Sequence, residues 1–318
     1  MSAKGEKSEN ISPEAFIARD ILSPGFSGRL ATTSQYQERL GIGSGTVQKA
    51  LHELRQNGAV ELVSRGHQGT WITRRDFDRL WDMARLPPVH ILLPSRGSQE
   101  ATVVAGGLSL QFQEWGVGTT IGYMRGARSR LEALDQGQTD VVLLSSGSAS
   151  LLLPDDPDRY VKISLGVGSY YCPGSLVVVE KIAPATGRRR KIGIDFHSND
   201  HQRLTRAQFP AELHDYVETD FTLLPRAVFL NEIDSGVWHQ EESLIPLDKV
   251  GLSLRPLDEP EAVEMAEQIS AAVLVAAQDS PVVTLLRELD RQHLQKLCAT
   301  VDEKTGGKLS GNLAIRFD

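Results

Sequence analysis

Residues 29–73 read RLATTSQYQERLGIGSGTVQKALHELRQNGAVELVSRGHQGTWIT, and this stretch decides the first fold unit. Val47, Ala50, Leu51 and Leu54 recur at helical spacing, so they share one apolar face. Thr46, Gln48, Lys49, His52 and Arg55 then point away from it. An earlier helical pattern opens at Thr32 or Thr33, both suitable N-caps, and runs to Leu40, with Tyr36 and Leu40 facing inward. Gly41-Ile42-Gly43 separates the two helices, because glycine accepts the positive φ that ends a helix sharply. Asn57-Gly58 stops the second helix. Val60, Leu62 and Trp71 alternate with polar residues as in two half-buried strands. Arg65-Gly66-His67-Gln68-Gly69 forms the turn between them. Upstream, Ser12-Pro13-Glu14 starts a further helix carrying Phe16, Ile17 and Ile21, and Ser23-Pro24-Gly25 ends it. Three helices followed by a β-hairpin predict a winged helix-turn-helix.

Such a unit places its last helix in the major groove of double-stranded DNA and rests its hairpin tip on the backbone or in the minor groove. The expected contacts are Thr33, Ser34, Ser44, Thr46, Gln48 and Lys49 on the helices, with Arg65, His67 and Gln68 at the tip. Gln48 has the bidentate amide that suits an adenine edge, whereas Ser44 and Thr46 suit phosphate or a thymine methyl. Each is also an ordinary solvated residue when taken alone.

The charge of the chain is uneven. Its formal net charge is −7. Residues 1–80 carry 11 Lys+Arg against 9 Asp+Glu, or +2, which leaves 23 against 32, or −9, for residues 81–318. A head so weakly basic binds phosphate poorly by itself, so a homodimer that doubles the contacts is expected. Cys172 and Cys298 are too few and too far apart for a disulfide framework and read as buried thiols. No apolar run approaches the ~20 residues of a membrane span, and the polar leader has no signal-peptide core. A cytoplasmic location with no membrane partner is expected. The 318 residues divide, on this reading, into a disordered leader (1–10), the DNA-binding head (11–75), a linker (76–88), an effector domain (89–300) and a tail (301–318).

Within the linker, Phe77, Leu80, Trp81 and Leu86 outline a short amphipathic helix before Pro87-Pro88. Trp81 either packs on that helix or caps an interface between domains. Beyond residue 89, apolar runs alternate with helical patterns: strands at 89–93, 119–124 and 140–144, and helices at 102–115 and 128–136. This βαβαβ order predicts parallel strands joined by helical crossovers. After a less regular middle the order repeats, with strands near 192–195, 216–218 and 237–238. Residues 251–257 are expected to return toward the first sheet, and 280–300 to form one closing amphipathic helix. Two such halves point to a two-lobed α/β domain with a cleft, although a single doubly wound sheet has the same element order.

Two resemblances bear on these residues. The head resembles GntR-type transcription regulators in Leu30, Glu38, Leu40-Gly41-Ile42, Thr46-Val47, Ala50-Leu51, Leu54, Gly58 and Gly66 through Gly69-Thr70. It departs from them at Ser34, Ser44 and Gln48, where relatives often carry arginine, which implies a different operator sequence. Within that group the chain is similar to the YhfZ-like family, which pairs such a head with a C-terminal domain containing Met-Arg-Gly-Ala, here Met124-Arg125-Gly126-Ala127. The resemblance implies an effector domain of the type 2 periplasmic-binding-protein fold.

In open α/β sheets a ligand sits beyond the carboxyl ends of the strands, where helix N-termini present free N–H groups. Ser95-Arg96-Gly97-Ser98, Arg125-Gly126 and Ser145-Ser146 occupy such positions, and Tyr170 and Trp238 stand near others. The arginine suits a carboxylate or phosphate, so a small anionic or zwitterionic metabolite is expected. Ser/Gly loops serve equally as strand-to-helix turns, Arg125 with Arg128 and Arg130 equally makes a solvated basic helix start, and both aromatics pack equally well in a core. No nucleotide fingerprint, P-loop or nucleophile elbow is present, and His197 and His201 lack the surroundings of a zinc helix. The expectation is a ligand-responsive transcription regulator, neither an enzyme nor a carrier of a cofactor or metal. The alternatives are a C-terminal domain that only dimerises or docks a partner, and an enzyme on the two-lobed scaffold.

Overall fold

The computed structural model of the chain describes residues 11–94, 98–153, 158–183, 188–240 and 246–305, the side chains of 299–305 apart. The expected leader, most of the expected tail, and Ser95, Arg96 and Gly97 lie outside the described residues. The chain forms two compact units. One gathers the residues up to His90 with Ser109–Thr120 and Ala276–Leu289, and the other holds the remainder.

In the first unit, α1 (Pro13–Leu22) opens as its residues dictate: Ser12 Oγ accepts from Ala15 N–H, and Pro13 stands where no N–H is needed. Ala15, Ile17, Ala18, Ile21 and Leu22 are all buried. Helix α2 (Thr33–Leu40) begins with a capping box between Thr32 and Gln35 and ends at Gly41, whose φ is 66°. Helix α3 (Ser44–Gln56) buries Val47, Ala50 and Leu54, with Leu51 half-buried. Tyr36 is fully buried and its hydroxyl donates to Asp20 at 2.6 Å, while Leu40 remains half-buried. Burial, with the Asp20 carboxylate beside it, pushes the phenol well above its ordinary value.

Strands β1 (Val60–Ser64) and β2 (Thr70–Arg75) pair antiparallel, with an irregularity between Glu61 and Leu62 and one 3-10 turn at the tip. Arg29 bridges to Trp71, so a third extended segment lies along β2. Helix α4 (Phe77–Met83) realises the expected amphipathic helix. Trp81 is buried on it and donates from Nε1 to the Pro87 carbonyl at 2.9 Å.

The chain continues through β3 (Val89–Leu93), α5 (Gln99–Glu114), β4 (Thr119–Tyr123), α6 (Ala127–Asp135), β5 (Val141–Ser145), α7 (Ser146–Leu152) and β6 (Tyr160–Ser164). It then runs through β7 (Leu176–Lys181), β8 (Arg190–Ile194), α8 (Asn199–Gln208), β9 (His214–Glu218), α9 (Leu224–Phe229), β10 (Ser235–His239), β11 (Leu252–Pro256), α10 (Pro260–Gln268) and β12 (Ala272–Ala277). The sheets are separate. One has the order β4-β3-β5-β12-β6 and the other β11-β7-β10-β8-β9. A single doubly wound sheet is therefore excluded. Each sheet contains one strand antiparallel to its central neighbour, β12 against β5 and β7 against β10. If each lobe's strands are numbered along the chain, with that exceptional strand set apart, both sheets have the order second, first, third, exception, fourth.

Two expectations need correction. Residues 251–257 do not return to the first sheet, because β11 pairs antiparallel with β7 at the edge of the second. The return belongs to β12, whose apolar run of six is the longer and better suited to a strand flanked on both sides. The closing segment is two helices, α11 (Val282–Arg287) and α12 (Arg291–Thr305), broken around Glu288, and α12 extends past residue 300. Helix α11 belongs to the first unit. There Thr284 Oγ1 donates to the Leu22 carbonyl at 2.8 Å, and Arg287 donates to the Pro24 carbonyl at 2.7 Å.

The sheets have dry faces. Leu92, Leu131, Leu134, Val142, Leu144, Val273 and Val275 form an apolar cluster on the first. On the second, alternation separates Val177, Val179 and Trp238 on one face from Val178, Ile192 and Val237 on the other. Gly193 and Gly236 are cross-strand neighbours beneath Leu224, and a Cβ on either would fall under 3 Å from its methyls. Glycine at both positions is what lets α9 lie this close to the sheet.

Candidate functional site

The head presents one polar helix face. Ser44, Thr46, Gln48 and Lys49 are all exposed on α3, opposite the buried Val47, Ala50 and Leu54. Lys49 makes only a loose contact with Glu53 at 3.8 Å, so its ammonium is free to turn toward another anion. Ser34 is exposed and Thr33 half-buried at the start of α2. At the hairpin tip Arg65, His67 and Gln68 are exposed, and the Arg65 guanidinium lies over the Trp71 ring at 5.0 Å. Arg29 is also exposed beside the hairpin, with its side chain against Gly69. Nothing local in the sequence marks Arg29. Only the bridge to Trp71 brings it there.

In the second unit the strand ends of the two sheets face one another and are joined by charged groups. Arg125 follows β4 of the first sheet. Its guanidinium reaches Asp195 at 2.7 Å and Asp220 at 2.6 Å, both at strand ends of the second sheet. Asp195 is fully buried and also accepts the His197 and Phe221 N–H groups. Ser145 caps α7, and its hydroxyl donates to Asp200 in the first turn of α8, as does Ser148 at 3.2 Å. Burial raises the Asp200 carboxyl above the ordinary carboxylate range, against the opposing effect of the two serine donors. His201 accepts the Asp195 N–H at Nδ1 and so carries its proton on Nε2, 2.8 Å from the Val237 carbonyl. Burial lowers its pKa and keeps it neutral.

A third link joins Glu100 on α5 to His239 at the end of β10, at 3.1 Å with both side chains almost completely buried. Burial would raise the Glu100 carboxyl. The His239 contact and the Cys172 N–H, 2.9 Å away, more than offset that and hold it at about 2. Ser98 donates to the same carboxylate at 3.1 Å and caps α5 through the Ala101 N–H.

The remaining sequence-derived positions differ in placement. Ser146 donates to the Gln268 carbonyl at 2.6 Å, a tie to the segment between β11 and β12. Tyr170 is buried with its hydroxyl 3.5 Å from Arg130. Arg130 is itself buried and donates to the Leu143 and Met124 carbonyls, unlike the exposed Arg128. Trp238 packs with Val177, Val179 and Leu224 in an apolar cluster, while its neighbour His239, on the opposite pleat, reaches Glu100 on α5. Gly126 caps α6 with φ 86°, a backbone conformation that L side chains rarely adopt.

The polar links leave a void of about 20 Å³ beside Asp200, His201 and His239. A wider opening of about 360 Å³ lies at the mouth, lined by Arg125, Gly126, Arg128 and Ser129 on one side and Phe196, His197 and Asn199 on the other. Sequence reasoning did not single out Glu100, Asp200 or Asp220. Isolated carboxylates carry no local signal, and these become a set only when two sheets distant in sequence meet. Among the described residues no group of three or more His, Cys, Asp or Glu could hold a metal ion, and no helix is long and apolar enough to cross a membrane.

Comparison with known proteins covers nearly the whole chain. Residues 27–72 match a helix-turn-helix domain family, and residues 76–305 match the YhfZ C-terminal domain family. The protein YhfZ of Escherichia coli (strain K12) is 25% identical over 280 residues, which is 87% of this chain and 89% of that protein. The crystal structure of YhfZ from Shigella flexneri aligns with a TM-score of 0.53 at 22% identity, covering 74% of this chain and 98% of that one.

Proposed function

We propose, from the premise that the chain belongs to the YhfZ family, that it is a transcription regulator whose hold on DNA is set by a small anionic or zwitterionic metabolite. The head is a helix-turn-helix domain. In this reading α3 enters the major groove, Gln48 reads a base edge, and Ser44, Thr46 and Lys49 meet backbone or thymine methyls. The β1–β2 hairpin acts as the wing. Arg65, His67, Gln68 and Arg29 then lie along the phosphates, and Thr33 and Ser34 at the start of α2 meet the flanking strand. Two chains bind as a homodimer in the cytoplasm, which compensates for the weakly basic head.

The observation that carries the effector half is Arg125, held by two carboxylates of the opposite sheet at 2.6–2.7 Å. A bidentate guanidinium at a strand end, beside a helix start at Gly126, is a site for an anion. Here Asp195 and Asp220 stand in for that anion. A metabolite carboxylate or phosphate entering the mouth competes for Arg125 and Gly126, with Ser98, Ser145 and Ser146 near the other helix starts. Replacing the internal aspartates loosens one sheet from the other, and the population of the state competent for DNA shifts by the difference in ligand affinity.

The reading is tested by selecting duplexes from a random library with the full chain and titrating the enriched site with wild-type, Gln48→Ala and Arg125→Ala proteins. Enrichment of a defined site, lost preference in the first variant and altered affinity in the second are expected. No enrichment removes the DNA half of the proposal. A second reading, in which the C-terminal domain only dimerises or docks a partner, is favoured by the void of only about 20 Å³ among the polar links. Unchanged DNA affinity in Arg125→Ala, with the dimer intact, selects that reading.

A further inference from the structure

The two chain segments that pass between the sheets enclose a cavity unlike the polar mouth at Arg125. One segment joins β6 to β7, and the other joins β11 through α10 to β12. Between them lies a space of about 600 Å³. That volume falls within the ~300–1,000 Å³ of small-molecule sites. Val167, Tyr171 and Pro173 of the first segment line one side, and Leu257, Val263 and Ala266 of the second line the other. Val167 is 70% exposed and Val263 43%, so two branched apolar side chains flank the opening.

Charge at this cavity is nearly absent and has one sign. Glu267 is the single charged residue in the lining, and it is exposed at the rim. Ser175, in the chain between the lining residues Gly174 and Leu176, has a buried hydroxyl with no hydrogen-bond partner. Buried hydroxyls without partners are rare, and this one belongs to the chain segment that lines the cavity, though not to the lining itself. Tyr171 presents an aromatic ring whose edge contacts on the inner side are already taken by Tyr170 and His239.

We propose that this cavity is a binding site for a small, mainly apolar molecule, uncharged or carrying one positive charge, separate from the polar crevice at Arg125. The apolar walls supply the affinity by burial. Glu267 repels anions and attracts a cation at the rim. Both walls belong to the two segments that join one sheet to the other. This inference goes beyond the anionic effector proposed above and does not depend on it.

The test uses the full chain and the neutral fluorescent probe N-phenyl-1-naphthylamine. Saturable one-to-one enhancement of its emission is expected. Val263→Glu at the exposed wall and Ala266→Phe within the cavity should each weaken binding by about tenfold or more, as loss of an apolar anchor does. Thermal unfolding of both variants, followed by circular dichroism, should match wild type. In competition, 1-naphthylmethylammonium should displace the probe at lower concentration than 1-naphthoate, and Glu267→Gln should remove that preference. The proposal is overturned by absence of saturable binding, by binding that neither folded variant weakens, or by naphthoate competing as well as the ammonium.

Discussion

Arg125 and Asp195 form a 2.7 Å ion pair in which the carboxylate is fully buried and the guanidinium side chain stays 37% exposed. The asymmetry matters. A buried carboxylate needs its cation more than a partly hydrated guanidinium needs its anion. Arg125 also holds Asp220, so one guanidinium bridges two acids from neighbouring strand ends and offsets the charge of one of them.

Arg125→Ala is therefore expected to destabilise the C-terminal domain by about 1–2 kcal/mol, short of the ~3–5 for a fully buried pair because solvent already screens the arginine. Urea unfolding checks the value. A double variant, Arg125→Ala with Asp195→Asn, should recover part of the loss, and its failure to do so would count against the pair as the source.

The Glu100–His239 link sets an acid limb of the stability curve. Glu100 sits at about 2 in the fold against an ordinary 4.5. Its folded value is depressed, so its contribution is complete above pH 4.5 and is lost as the pH falls toward 2. Asp200 has the opposite sign. Its raised value means that its contribution is complete below the ordinary carboxylate value and declines as pH rises through the raised one. Glu100→Gln should flatten the acid limb of denaturant midpoints measured across a pH series, and Asp200→Asn should not.

Gly147→Ala tests how tightly the first sheet's α7 approaches its surroundings. A Cβ there would stand 2.5 Å from an Ile269 methyl and 3.0 Å from an Asp200 carboxylate oxygen. The neighbours must move, at about 1–3 kcal/mol for an overpacked contact. A melting temperature equal to wild type would show that the segment around Ile269 yields without strain.

On the head, Lys49→Ala and Arg65→Ala should weaken binding to all duplexes alike and reduce the salt slope by roughly one each. Gln48→Ala should leave that slope unchanged and relax preference at one base position. Anisotropy titrations across a salt series on the selected duplex and a scrambled one separate the two effects.

The head was legible because its information is local. Thr32 with Gln35 caps α2, Gly41 ends it, and the i, i+3, i+4, i+7 apolar residues of α3 assign its inner face within a single helix. The strands of the C-terminal domain were legible for the same reason, as apolar runs between helical patterns. Their assignment to sheets was not. Residues 251–257 are a strand by pattern in either sheet, and only pairing with β7 decides which. The break at Glu288 is equally silent, since Val283, Leu286, Leu289 and Leu294 keep nearly helical spacing across it, while Thr284 and Arg287 turn to the carbonyls of Leu22 and Pro24.

Side-chain roles at the sheet ends divide in the same way. Sequence by itself determined that Arg125, Ser145 and Ser98 stand where strands become helices, because strand and helix periodicities meet at those residues. Tertiary structure alone decided what faces them: Asp195 and Asp220 for Arg125, Asp200 for Ser145, and Glu100 with His239 near Ser98. It also turned Trp238 into one apolar cluster and His239 toward Glu100 on α5, a choice of pleat that needs the strand's register. The physical reason is range. Helix caps and apolar periodicity act over about four residues along the chain. A buried charge, in contrast, takes its partner from whatever the fold brings within a few ångströms, however distant in sequence.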